Sequence, residues 1–179
     1  MRRIGFISRF VVCAALLSAI AVLAQQSADT PSGPVPPAIL AAKKIFVSNA
    51  GSDSGLYPEP FSGDPSRGYT QFYAALKSAA QFELVADPSD ADLVLELQLI
   101  APSGAARGEV NKVNGASDPL PMFRLVIYDR KTHYILWTLT QSINIAFLQK
   151  SHDRNFDGAI LVLMEKFQQL CGKPITSFH

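Results

Sequence analysis

A chain of 179 residues with 48% apolar and 17% charged residues is long enough for one ordinary domain and too apolar for disorder throughout. Three of its 16 basic residues, Arg2, Arg3 and Arg9, stand in the first ten positions, which leaves 13 against 15 acids and a net charge of −2 for the rest. A near-neutral chain with no basic stripe excludes ordinary nucleic-acid binding, because that affinity rests on neutralising phosphates.

The N-terminus has the form of a secretory signal. Arg2, Arg3 and Arg9 make a positive n-region, and Phe10 to Ala24 is apolar except at Ser18. Ala21-Val22-Leu23-Ala24 suits signal peptidase, so the mature chain is expected to begin at Gln25. The apolar run is shorter than the ~20 residues of a spanning helix. Cys13 lies inside it rather than just after it, so no lipid attachment is expected. Cys171 is then the only cysteine of the mature chain and reads as a small buried residue.

Ser27 to Pro37 holds four prolines and no large apolar cluster, which predicts a disordered spacer over 25–41. Lys44 to Ser48 reads as a first strand, and the Gly-, Ser-, Asp- and Pro-rich stretch 49–63 as a loop. Asp64-Pro65 has the form of a helix start, and Tyr69, Phe72, Leu76, Ala79 and Ala80 recur at helical spacing. Glu83 to Ala86 is a short strand. Leu93, Leu95, Leu97 and Leu99 alternate with Val94, Glu96 and Gln98, the clearest strand signal in the chain. A loop over 102–121 follows. Phe123, Leu125 and Ile127, a polar turn at Asp129 to Thr132, and Ile135, Trp137 and Leu139 predict a hairpin. Phe156, Ala159, Ile160, Leu163, Phe167 and Leu170 mark a closing amphipathic helix, stopped by Gly172.

The expected class is α+β: a two-layer α/β sandwich with one mixed sheet of about five strands and two helices on one face, in the order β-α-β-β-β-β-α. The expected organisation is 1–24 signal peptide, 25–41 spacer, 42–173 one domain and 174–179 tail.

Asp90-Ala91-Asp92-Leu93-Val94-Leu95-Glu96 is similar to a strand of several bacterial envelope domains of unknown function. Leu125 to Thr132, closed by Leu136-Trp137, resembles their next hairpin, and a helix with the sense of Asp157 to Leu170 comes last in them. Those folds resemble the small α/β domain at the N-terminus of TolB and in curli-secretion lipoproteins. The resemblance covers roughly residues 42–171. It implies periplasmic or outer-membrane-associated work through protein contacts, and it carries over no catalytic residue. Many such domains have a lipobox, which this sequence lacks.

Asp153-Arg154-Asn155-Phe156-Asp157-Gly158 matches the first half of a calcium loop, but Met164 holds the closing position where a Glu is needed. The plainer reading is that Asp153, Asn155 or Asp157 caps the closing helix. Ser52-Asp53-Ser54-Gly55 resembles a protease nucleophile strand, yet no histidine (His133, His152 or His179) has a fitting context. His133 and His152 both read as exposed. Asp87, Asp90 and Asp92 flank a turn, where acids commonly serve turn geometry. Trp137 reads as core, packed with Ile135 and Leu139; were the hairpin at a sheet edge, its outer side would suit a partner strand. No catalytic, cofactor-binding or metal residue is assigned and no cofactor is expected. The sequence favours an exported, non-enzymatic interaction module of the bacterial cell envelope. Its expected partner is another envelope protein, with no nucleic acid and no stable membrane anchor after signal cleavage. The alternative is a small secreted hydrolase using Asp53, Ser54 and His152.

Overall fold

The structure is a computed structural model that describes residues 33–102 and 120–175. The expected leader, most of the 102–121 loop and the last four residues lie outside the described residues.

Five strands form one mixed sheet in the order β2-β1-β3-β4-β5. β1 (Lys44–Ser52) lies between β2 (Glu83–Leu84) and β3 (Leu93–Ile100), parallel to both. β4 (Met122–Asp129) and β5 (Ile135–Ser142) continue the sheet antiparallel. The alternation of β3 is realised fully: Leu93, Leu95, Leu97 and Leu99 are buried, while Val94, Glu96, Gln98 and Ile100 look to the other face. Ile45 and Val47 of β1, and Phe123, Leu125 and Ile127 of β4, join the buried side.

Two long helices cover that side. α2 (Arg67–Ala79) buries Phe72, Ala75 and Leu76, and α3 (Gln149–Leu170) buries Phe156, Ile160, Leu163, Met164 and Phe167 in the same core. The two-layer α+β architecture is therefore the one the sequence pattern predicts. α2 sits close to the sheet because Gly68 has no side chain: a Cβ there would meet Phe123 Cε1 at 2.9 Å. Phe61, Phe123 and Phe156 stack at the same end of the core, with Phe123–Phe156 ring centroids 4.9 Å apart.

Three expectations change. The fold reaches back into the stretch expected to be spacer: α1 (Pro37–Ala41) is a short helix, and Ile39 on it is fully buried. Proline at its first position supplies the helical φ in advance, so a Pro-rich string here starts a helix. β1 runs on to Ser52 rather than Ser48, through an irregularity between Asn49 and Ser52 where Gly51 takes a φ of 77°. Finally α3 starts at Gln149, one to two turns before its apolar stripe. Asp153, Asn155 and Asp157 thus stand inside the helix, and its N-cap, Leu148, makes no side-chain cap.

Candidate interaction surface

The sheet ends on β5, with the sequence Ile-Leu-Trp-Thr-Leu-Thr-Gln-Ser. It has no charge, no proline and no glycine, and its β-branched and aromatic residues favour an extended chain. The turn before it is built by Asp129, whose carboxylate accepts from Lys131 N and Thr132 Oγ1, with His133 at φ 59°.

The pairing with β4 fixes which backbone groups face away from the sheet. Ile143 N–H donates to Pro121 O at 2.7 Å, and the register runs Phe123↔Gln141, Leu125↔Leu139 and Ile127↔Trp137. In an antiparallel ladder hydrogen-bonded pairs alternate. Trp137, Leu139 and Gln141 therefore bond to β4, and Thr138, Thr140 and Ser142 turn their N–H and C=O groups outward. All three are exposed, and no strand pairs with this side among the described residues. Lys166 of α3 donates to the outward Thr140 carbonyl at 3.3 Å, which places one cation beside the edge. The opposite edge, β2, is only two residues long.

Trp137 is partly buried and packs on the core with Leu139, as expected. Ile135 does not join them: it is 59% exposed. The register slips between Ile127↔Trp137 and Tyr128↔Ile135, which leaves Leu136 as an extra residue and turns Ile135 to the other face.

The remaining candidates find structural roles. Asp153 and Asp157, one helical turn apart, both bind Arg67 of α2: Nη1 to Asp153 Oδ1 at 2.7 Å and Nη2 to Asp157 Oδ1 at 2.5 Å. Ser62 donates to Asp153 through both its N–H and its hydroxyl, and Gln71 donates to Asp157. The Arg67 guanidinium also lies 4.6 Å from the Phe156 ring centroid. Burial alone pushes the Asp153 carboxyl up, but the bonds from Arg67, Ser62 and Gln149 outweigh it and bring it down to about 2. The half calcium loop is thus a helix–helix clasp whose carboxylates already hold a cation, and Met164 is fully buried. No group of three or more potential metal-binding side chains occurs among the described residues. Nothing in the sequence around Arg67 marks it, since its partners lie 86 and 90 positions away.

His152 is buried, contrary to expectation, and its Nδ1 accepts the Ala146 N–H at 3.3 Å. Asp53 accepts the Ala101 N–H, Ser54 is exposed, and no hydrogen bond joins any two of the three. Asp92 accepts from both Lys43 N and Lys44 N, and Asp87 from Ser89 N, so the acidic turn positions the start of β1 and the approach to β3. Cys171 is buried, and burial pushes its thiol up to about 12, which keeps it protonated and unreactive. At the carboxyl ends of β1 and β3, Asn49, Tyr57, Gly68, Tyr69 and Phe123 border a cavity of about 10 Å³, room for one water-sized molecule and no substrate.

No family model and no curated protein matches the chain. The similar solved structures include a PelC dodecamer from Paraburkholderia phytofirmans, at 15% identity and a TM-score of 0.43 over 76% of this chain and 94% of that one. A DUF4136 family protein from Bacteroides thetaiotaomicron matches at 16% identity and a TM-score of 0.46, over 73% and 88%. TolB from Acinetobacter baumannii, whose small α/β domain the sequence resembles, matches at 14% and a TM-score of 0.40, over 74% of this chain and 29% of TolB. The likeness is one of fold.

Proposed function

We propose that this protein is an exported, non-enzymatic interaction module of the bacterial cell envelope, and that it holds a partner protein through the β5 edge. The observation that carries this reading is an eight-residue, uncharged edge strand with three outward-facing, exposed residues. Soluble proteins ordinarily blunt such an edge with charge, proline or a covering element, because it templates strand addition. An extended segment of a partner laid along Thr138, Thr140 and Ser142 would bond their outward N–H groups and the Thr138 carbonyl, and would displace Lys166 Nζ and Gln141 Nε2 from the Thr140 and Ser142 carbonyls. The Arg2/Arg3/Arg9 leader pattern supports export, and the structural roles found for Asp53, His152, Asp153 and Asp157 support a non-enzymatic role.

The test is site-specific photo-crosslinking in the producing cells, with the probe at Thr140 and, as control, at Lys77 on the exposed surface of α2. A discrete adduct from Thr140 alone, lost when Thr138→Lys is added, is expected. Equal labelling from both positions, or none from Thr140, overturns the edge as the binding site. Intact mass of the exported protein should show a chain beginning at Gln25; a retained leader overturns the cleaved-signal reading. Thr140→Pro should abolish partner binding yet leave the melting temperature nearly unchanged, because the Thr140 N–H takes no part in the β4 ladder.

A further inference from the structure

The β5 edge is not bare backbone: Lys166 of α3 reaches it and donates to the outward Thr140 carbonyl at 3.3 Å. The flank of α3 that faces β5 follows from its contacts. Asn155 Nδ2 donates to Asn144 O, just beyond the strand, at 2.8 Å. Ala159, Val162 and Lys166 succeed Asn155 along the same side, at spacings of four, three and four residues. None of the four is acidic. The acids in the body of α3 lie elsewhere. Asp153 and Asp157 face α2 and are held by Arg67. Glu165 stands about 100° round the helix from Lys166, opposite the buried Leu163 and Phe167. The helix side of the edge therefore carries a single ammonium group, and no carboxylate of its own flank accompanies it.

This arrangement decides what can add to the strand. An incoming strand needs the Thr140 carbonyl for its own ladder. It takes that acceptor from Lys166 and covers the half-buried ammonium with its backbone. A cation shielded from water and short of an acceptor is costly. A neutral segment leaves it so, and a basic one adds repulsion. An Asp or Glu on the helix-facing side of the incoming strand replaces the lost acceptor with a charge-assisted bond. A second copy of β5 offers no such group, because the strand has no charge. Antiparallel pairing of two copies about Thr140 would also set both α3 helices on one side of the joined sheet, with their Lys166 groups together.

We propose that Lys166 selects the partner: the segment that adds to β5 carries a carboxylate on its helix-facing side, close to Thr140 in register. This rests on the β5 edge as the binding site and gives the chemistry of what it takes. The same lysine guards the edge against neutral strands, since a cation beside an open strand discourages indiscriminate pairing.

The test places the Thr140 photo-probe in the full-length protein in the producing cells, on backgrounds of Lys166, Lys166→Arg, Lys166→Gln and Lys166→Glu. The arginine variant should keep the adduct. The glutamine variant should lower its yield about threefold and the glutamate variant roughly tenfold. Mass spectrometry of the adduct should find Asp or Glu in the partner within two residues of the attachment point. Circular dichroism melts identify any variant that fails to fold; should the glutamate variant do so, the comparison of arginine with glutamine decides. An adduct undiminished in Lys166→Gln, or a partner segment with no acid at the attachment point, overturns the acidic partner and leaves the β5 edge standing. No adduct from Thr140 on the Lys166 background overturns both.

Discussion

Two single residues set most of the local geometry that sequence patterns do not display. Gly68 lies in a helix, where alanine is ordinarily better by about 1 kcal/mol. Here the added Cβ would press on Phe123, which is itself 99% buried against Phe156 and cannot yield. Gly68→Ala should therefore destabilise the fold by about 1–3 kcal/mol, read by urea denaturation; a gain in midpoint would show that α2 can move away from β4. Asp153 makes the second case. Its carboxyl ordinarily titrates near 3.8 and here is held to about 2. A carboxyl depressed in the folded state adds stability above its unfolded pKa and loses it as pH falls toward the folded value. Between about pH 4 and 2 the wild type should lose on the order of 1–2 kcal/mol through this group. Asp153→Asn should be less stable at pH 7 and flatter across that window. If the two proteins lose stability in parallel down to pH 2, the Arg67 clasp does not hold Asp153 as described.

At the scale of elements, legibility follows the share of a segment that faces the core. Leu93 to Leu99 alternate because every second residue is buried, and the strand is plain from the sequence. α3 shows its stripe only from Phe156 onward, because its first seven residues meet loops and Arg67 through polar groups. Bulges defeat alternation outright: Ile135, Trp137 and Leu139 look equivalent, yet Leu136 is an extra residue and Ile135 faces away. Whether a hairpin sits at the centre or the edge of a sheet is set by strand order, which no local pattern encodes. Gln168 gives a comparable lesson. Helical spacing puts it opposite Leu163 and Phe167, but it is fully buried and its Nε2 donates to Gln81 Oε1 at 3.2 Å. Gln168→Ala should then cost about 1–3 kcal/mol rather than nothing. Leu163→Ala with Phe167→Ala should leave little folded protein, since the two truncations together remove roughly 5–10 kcal/mol from a typical total of about 5–15. A wild-type midpoint for the double variant would mean that α3 does not pack on the sheet.

For the whole molecule, the decisive question is where the folding unit begins. Composition places the boundary near Ala42, since four prolines and small polar residues precede it. Packing places it earlier. Ile39 is fully buried, Val35 packs on the core, and the chain passes close enough for a Cβ at Gly33 to lie 3.9 Å from the Trp137 ring. At the far end of the core, Leu40 Cδ2 would lie 3.8 Å from a Cβ at Gly172, beyond the last turn of α3. These few residues therefore cover both the β5 side and the α3 end, and a single isoleucine among prolines does so without leaving a periodic signal. A protein beginning at Ala42 should lose the packing of Ile39 and Val35, about 3–6 kcal/mol by the usual cost of emptying buried aliphatic sites. It should also bare Trp137, so its fluorescence should shift to the red before any unfolding transition. Ile39→Ala in the full-length protein separates packing from chain length and should account for about 2–4 kcal/mol of the loss. If the protein starting at Ala42 melts with the wild type, α1 is an ornament on a domain that is complete without it, and the boundary belongs where the prolines end.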